Sequence, residues 1–207
     1  MRDIVLYATD TMADWEFAYI TTEITRAEQS RPGRFRLVLA GAAKGTVTTL
    51  GGLPLTATTT LAELDPEQVA VLVVPGADTY AEGHEPLLDA VRSLAAAGVP
   101  IAAICGGTLA LARSGLLDDR AHTSNAPIFL ASSGYAGAGH YDFAPVVSDR
   151  GVITATGLRP VEFSGAVFRA VGLYPDSLVD AWLALQESNE ADDFFRLMDE
   201  YGAFANA

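Results

Sequence analysis

The chain has 207 residues, half of them apolar, and 26 acidic against 13 basic side chains give a formal net charge of −13. That acid excess argues against nucleic acid and anionic membrane surfaces as partners, because both require basic patches, and no run of about 18 uncharged apolar residues offers a membrane span. A single cysteine rules out an internal disulfide and fits a reducing, cytoplasmic setting.

Ile4–Ala8 reads as a first strand rather than a signal peptide, since an acid, Asp3, stands at its head. From Trp15 to about Gln29, Phe17, Ile20, Ile24 and Ala27 recur near helical spacing. Phe35–Ala40 reads as a second strand. Residues 44–60 are rich in Thr and Gly, with Gly51-Gly52 as a turn and Pro54 as a breaker, so they predict a short β excursion. Val69–Val74 is apolar without alternation and stops at Pro75-Gly76, the signature of a strand covered on both faces. Glu85–Ala97 reads as a helix stopped by Gly98 and Pro100, Val99–Ile104 as the next strand, and Gly106–Ser114 as the helix after it.

Ile128–Ala144 is rich in Gly, Ala and Ser and yields no element. Val152–Thr156 reads as a strand. Pro160 opens a helix running to Val171, and Pro175 does the same for Asp176–Gln186. In the last segment Phe194, Phe195, Met198 and Tyr201 form a stripe expected to dock on the body. The acids around it (Glu187, Glu190, Asp192, Asp193, Asp199 and Glu200) read as a solvated face. One domain over residues 1–207 is expected, with a helical extension from about residue 174. The order of elements implies a three-layer α/β sandwich with a mainly parallel sheet. Right-handed crossovers then bring Thr9–Glu16, Pro75-Gly76-Ala77 and Cys105-Gly106 to one edge, where such folds bind ligands.

The sulfur is the sharpest signal at that edge. Ala103-Ile104-Cys105-Gly106-Gly107 has the small-x-nucleophile-x-small spacing of a nucleophile elbow, in which a strand turns abruptly into a helix and lifts the turn side chain into a cleft. The helix start favours a thiolate; the competing reading is a buried core cysteine. Glu16, where the first strand gives way to a helix, is either a capping acid or a carboxyl aimed at the sulfur, with a raised pKa, able to shuttle a proton. Asp10 and Asp14 compete for that role and read as solvated. Gly76 and Ala77, with Gly106, could supply oxyanion-binding N–H groups; an ordinary turn is the alternative. A general base would have to come from His122, His140 or His84. His122 is the best placed, His140 lies in a Gly-rich region, and His84 reads as part of a surface loop. No His/Cys/carboxylate cluster has metal-ligand spacing, and no cofactor is expected.

Together, Ala13-Asp14-Trp15-Glu16, Val73-Val74-Pro75-Gly76 and Ala102-Ala103-Ile104-Cys105-Gly106-Gly107-Thr108 resemble the DJ-1/PfpI superfamily, as does Gly115-Leu116-Leu117-Asp118-Asp119-Arg120. The likeness spans residues 3 to about 173. It implies a flavodoxin-like fold, a homodimer, Cys105 as nucleophile and Glu16 as its hydrogen-bonding partner. Two positions depart from the pattern. Thr123-Ser124-Asn125 stands where many members carry Thr-Thr-His, so Asn125 takes the position of a base it cannot replace. Ala77 stands where a second glycine is usual. Three functions remain open at this point: a cysteine-dependent hydrolase, amidase or glyoxalase-like lyase acting on a small carbonyl compound; a redox-sensing or stress-protective protein in which Cys105 is oxidised; and a glutaminase-like subunit that is inert without a synthetase partner.

Overall fold

The run Val69–Val74 (β6) is buried at every residue and lies at the centre of a seven-stranded sheet in a computed structural model that describes residues 1–207. Around β6 the chain adds β1 (Arg2–Tyr7), β2 (Phe35–Gly41), the two-residue β5 (Thr59–Thr60), β7 (Ile101–Ile104), β8 (Val146–Asp149) and β9 (Val152–Ala155). Their spatial order is β5-β2-β1-β6-β7-β9-β8, parallel throughout except for β8, which pairs antiparallel with β9 at the border. A separate antiparallel hairpin, β3 (Gly45–Thr48) and β4 (Pro54–Ala57), is the β excursion expected from residues 44–60.

Two apolar layers cover the sheet. On one face Ile4, Leu6, Val71, Val73, Ala102 and Ile104 pack with α1 (Asp14–Ser30), α5 (Pro160–Val171), α6 (Asp176–Ser188) and α7 (Ala191–Ala205). On the other, Val5, Tyr7, Leu72, Val74, Ile101 and Ala103 pack with α2 (Glu85–Ala96) and α3 (Gly107–Arg113). Alternate residues of each strand thus serve opposite layers, which is why these strands read as continuous apolar runs. No helix is long and apolar enough to cross a membrane.

Three sequence readings need correction. The uncalled stretch before β9 contains a short helix, α4 (Pro127–Ala131), and the strand β8. The β8–β9 turn has Arg150 at φ 46° and Gly151 at φ 80°, the paired left-handed geometry of a tight hairpin. Gly151 was the available signal, masked by strands of only four residues. The third correction concerns α7, which docks through Leu197 and Phe204, with Tyr201 half-buried, while Phe194, Phe195 and Met198 are exposed. Its face is set by an i, i+4, i+7 row. It is pinned because Tyr201 Oη and Tyr174 Oη both donate to the buried Glu23 carboxylate of α1, at 2.7 and 2.9 Å.

The β7–α3 junction is packed on backbone. A Cβ added at Gly107 would run into the Val74 carbonyl and lie 2.9 Å from that of Pro75. Gly107→Ala should therefore lower stability by about 1–3 kcal/mol, seen as a reduced urea midpoint at unchanged slope; an unaltered midpoint would show that the junction has slack.

Candidate active site

Because β1, β6 and β7 are neighbours, the segments that follow them meet at one edge of the sheet. Cys105 follows β7 at φ 56°, a left-handed conformation that costs a non-glycine residue about 1–3 kcal/mol. Its N–H still donates to Ala155 O at 3.0 Å, which fixes the strand end, and Thr108 Oγ1 donates to its carbonyl at 2.6 Å. The turn leaves the side chain partly exposed above the sheet, as the elbow spacing predicts.

Glu16 reaches the same point from the first turn of α1 and is 1% exposed. Its Oε2 accepts the Gly76 N–H at 2.5 Å, and Gly76 O accepts the Ala13 N–H at 2.9 Å, so the two loops are stitched in both directions. Oε1 has no hydrogen-bond partner, and the Cys105 thiol lies close enough to the carboxyl to affect its ionisation. Burial, outweighing the Gly76 and Cys105 hydrogen bonds, pushes the Glu16 pKa up to about 7. Burial and then the Glu16 charge raise the Cys105 thiol, against the Asn125 amide and Gly106 N–H, which pull it down. The expected ready-made thiolate is not supported: desolvation outweighs the donors at the helix start and holds the thiol above its ordinary pKa.

Asn125 occupies the site as well. Its Oδ1 accepts the Gly157 N–H at 2.9 Å, which leaves Nδ2 to donate to Cys105 Sγ at 3.2 Å. The backbone donor at Gly157 fixes the amide orientation. Gly157 also floors the site: a Cβ there would sit 2.7 Å from Sγ and 3.2 Å from Glu16 Oε1, and one at Gly76 would sit 2.7 Å from Glu16 Oε2. The sequence reading missed Gly157, although it follows a strand already placed at this edge.

The structure separates the other candidates from the sulfur. Gly76 is no free oxyanion donor, because Glu16 takes its N–H. Ala77 N–H has no acceptor in the chain and lies against Gly106, whose own N–H faces Sγ, so these two remain available. His122 is fully buried: its Nδ1 donates to Arg120 O at 2.8 Å and its Nε2 accepts from Tyr135 Oη at 3.0 Å, leaving neither nitrogen for catalysis. His140 is exposed and meets His122 only through its carbonyl. His84, rather than lying loose in a surface loop, is held by Tyr7 Oη at 2.8 Å and Thr79 Oγ1 at 2.9 Å. Asp10 and Asp14 fasten the β3–β4 hairpin, accepting from Thr48 N and from Thr49 Oγ1 and Gly51 N. No three His, Cys, Asp or Glu side chains gather into a metal-binding set. A groove of about 620 Å³ lies between the β8–β9 hairpin and α5, and Cys105, Glu16 and Asn125 do not border it.

A family model described as the DJ-1/PfpI family matches residues 2–170. A Bacillus subtilis (strain 168) protein named as the uncharacterized protease YoaZ is 34% identical over 203 residues, which cover 96% of this chain and 97% of that protein. A crystal structure of a ThiJ/PfpI family protein from Bacillus anthracis superposes with a TM-score of 0.89 at 32% identity, covering 96% of each chain. A DJ-1 superfamily protein from Agrobacterium tumefaciens gives 0.78 at 33% identity, covering 91% of this chain and 99% of that one.

The raised carboxyl couples the site to stability. A folded-state pKa above the unfolded value means that the contribution is complete below about pH 4.5 and is lost as pH rises through about 7. Glu16→Gln removes that loss. The stability of Glu16→Gln relative to the parent should therefore rise by about 3 kcal/mol between pH 4.5 and pH 8, read by urea unfolding at both; a constant difference would show that the carboxyl is not raised.

Proposed function

The chain belongs to the DJ-1/PfpI family, and on that premise we propose that it is a cysteine-dependent enzyme acting on a small carbonyl compound, with Cys105 as nucleophile and Glu16 as the proton carrier. One observation carries the reading: a carboxyl only 1% exposed sits beside the only cysteine, with Oε2 tied to Gly76 N–H, Oε1 unpartnered, and burial holding its pKa up to about 7. A proton carrier with that pKa is matched to neutral pH, where it gains and loses a proton with equal ease.

In the step this arrangement supports, the thiol proton moves to Glu16 as Sγ bonds to the carbonyl carbon and the π pair moves onto oxygen. The N–H groups of Ala77 and Gly106 are the donors positioned to receive the developing charge. With an aldehyde or α-oxoaldehyde, Glu16 returns its proton to that oxygen and a hemithioacetal results. With an amide, the proton goes to the departing amine and leaves a thioester. No histidine contacts the sulfur, so a Cys-His protease relay is not supported and Glu16 must serve both directions of transfer. This favours glyoxalase- or deglycase-type addition and small amides over extended peptides, in keeping with the close approach of the Gly76 and Gly157 backbone to Sγ.

The proposal extends to a homodimer in a cytoplasmic setting. Exposed Trp15, Leu50 and Leu53, beside the start of α1 and the β3–β4 turn, support an apolar contact surface, and the unpaired cysteine supports a reducing compartment. A second reading, oxidation of Cys105 as a redox signal, is favoured by one feature: the partly exposed sulfur faces two N–H donors, of Asn125 and Gly106, suited to hold sulfenate or sulfinate oxygens.

Turnover of methylglyoxal and of small amides should vanish in Cys105→Ala, and in Glu16→Gln kcat should fall about 10²-fold or more with KM changed only a few-fold. Equal turnover by the parent and Cys105→Ala would overturn the enzyme reading. Under mild peroxide, intact mass spectrometry that finds an oxygen adduct on the parent but not on Cys105→Ser would support the redox role.

A further inference from the structure

Between His122 and Cys105 runs a continuous polar brace. His122 exchanges backbone hydrogen bonds with the 140–142 segment: its N–H donates to His140 O at 3.2 Å, and its carbonyl accepts from Asp142 N–H at 2.8 Å. The His122 ring stands edge-on to Tyr141, with centroids 5.7 Å apart at 88°. Tyr141 Oη grips both polar groups of the Ser124 backbone, donating to its carbonyl at 2.9 Å and accepting its N–H at 3.3 Å. Ser124 Oγ and Thr108 Oγ1 are 2.7 Å apart. Thr108 spends its own proton on Cys105 O, so Ser124 must be the donor in that pair. Thr123 N–H is tied sideways to Thr154 Oγ1 at 2.9 Å. Thr108, Thr123, Ser124 and the His122 ring are all buried.

We propose that Thr108, Ser124 and Tyr141 are positioning residues for the nucleophile. The brace ends twice on the same group: through Thr108 on the carbonyl of Cys105, and through the Ser124 backbone on Asn125, whose amide donates to Sγ. One network therefore sets both the strained backbone that presents the sulfur and the donor that faces it. His122, lowered by burial, enters through a ring set edge-on to Tyr141. The histidine that the sequence nominates as a base acts on the sulfur only through this chain. The geometry is unidirectional: each hydroxyl has one proton and one acceptor, so removing a single member leaves a buried group unpaired and loosens the next.

The inference rests on Cys105 being the reactive group proposed above, and alkylation separates the two. Cys105 is the only thiol, so iodoacetamide modification followed by mass spectrometry reads it alone. In Ser124→Ala and in Thr108→Val, which keeps the side-chain shape, alkylation at pH 7 should slow about tenfold and the midpoint of its pH profile should move upward. Thr108→Ser, which keeps the hydroxyl, should restore both. Tyr141→Phe should shift the profile the same way. Unfolding curves on each variant identify any that fail to fold; Thr108→Ser and Tyr141→Phe, which keep their packing, keep the test open. If the parent shows pronounced dependence on Glu16 while Ser124→Ala and Thr108→Val superimpose on it, the brace has no positioning role. If parent Cys105 itself reacts with the rate and pH profile of a free thiol, the activated-nucleophile reading fails instead.

Discussion

Everything at the functional edge depends on a carboxyl group kept out of water. Glu16 is almost wholly buried, yet one of its oxygens has no hydrogen-bond partner. A fold optimised for stability would replace it with an apolar or a fully bonded side chain, because an isolated buried charge is costly. Its retention beside a cysteine at φ 56° places two unfavourable features within one contact. Features of that kind persist where the surroundings over-determine them, and they concentrate at sites that do chemistry.

The surroundings do over-determine them. β1, β6 and β7 lie side by side, so three separate chain segments deliver Glu16, Gly76 and Cys105 to one point without any long excursion. Gly107 lets α3 start flush against the end of β6, and Gly157 lets the segment after β9 pass close against the sulfur. Asn125 is fixed from the Gly157 side before it touches Sγ. The amide is a donor whose state does not vary with pH, so the proton inventory of the site reduces to the Glu16–Cys105 pair, whose ionisations belong to the two together.

Much of this was legible in the sequence, for physical reasons that can be named. The strand Val69–Val74 could be read because a strand covered on both faces has no polar residues to confuse its period. Cys105 and Gly106-Gly107 could be read because an elbow tolerates only small flanking residues. Glu16 and Asn125 followed from where the elements and the family pattern placed them. The short strand β8 escaped because four residues carry too little periodicity. The stripe on α7 was misassigned because Phe194, Phe195 and Met198 are as apolar as Leu197 and Phe204, and only the partner surface, with Glu23 waiting for Tyr201, decides which side turns inward. The burial of His122 was not legible because its two ring partners, Arg120 O and Tyr135 Oη, include one brought near only by folding. Gly157 was overlooked because a glycine after a strand says nothing of the atom it must clear.

The borders of the sheet carry one more consequence. On one side it tapers to the two-residue β5, laid against the end of β2, and β2 bears the charged Arg36 along its outer part. On the other it finishes in the four-residue β8, whose hairpin turns back at Arg150-Gly151. Neither rim presents a long, flat ladder onto which a foreign strand could zip, so open-ended stacking of sheets into fibrils is discouraged by the architecture itself.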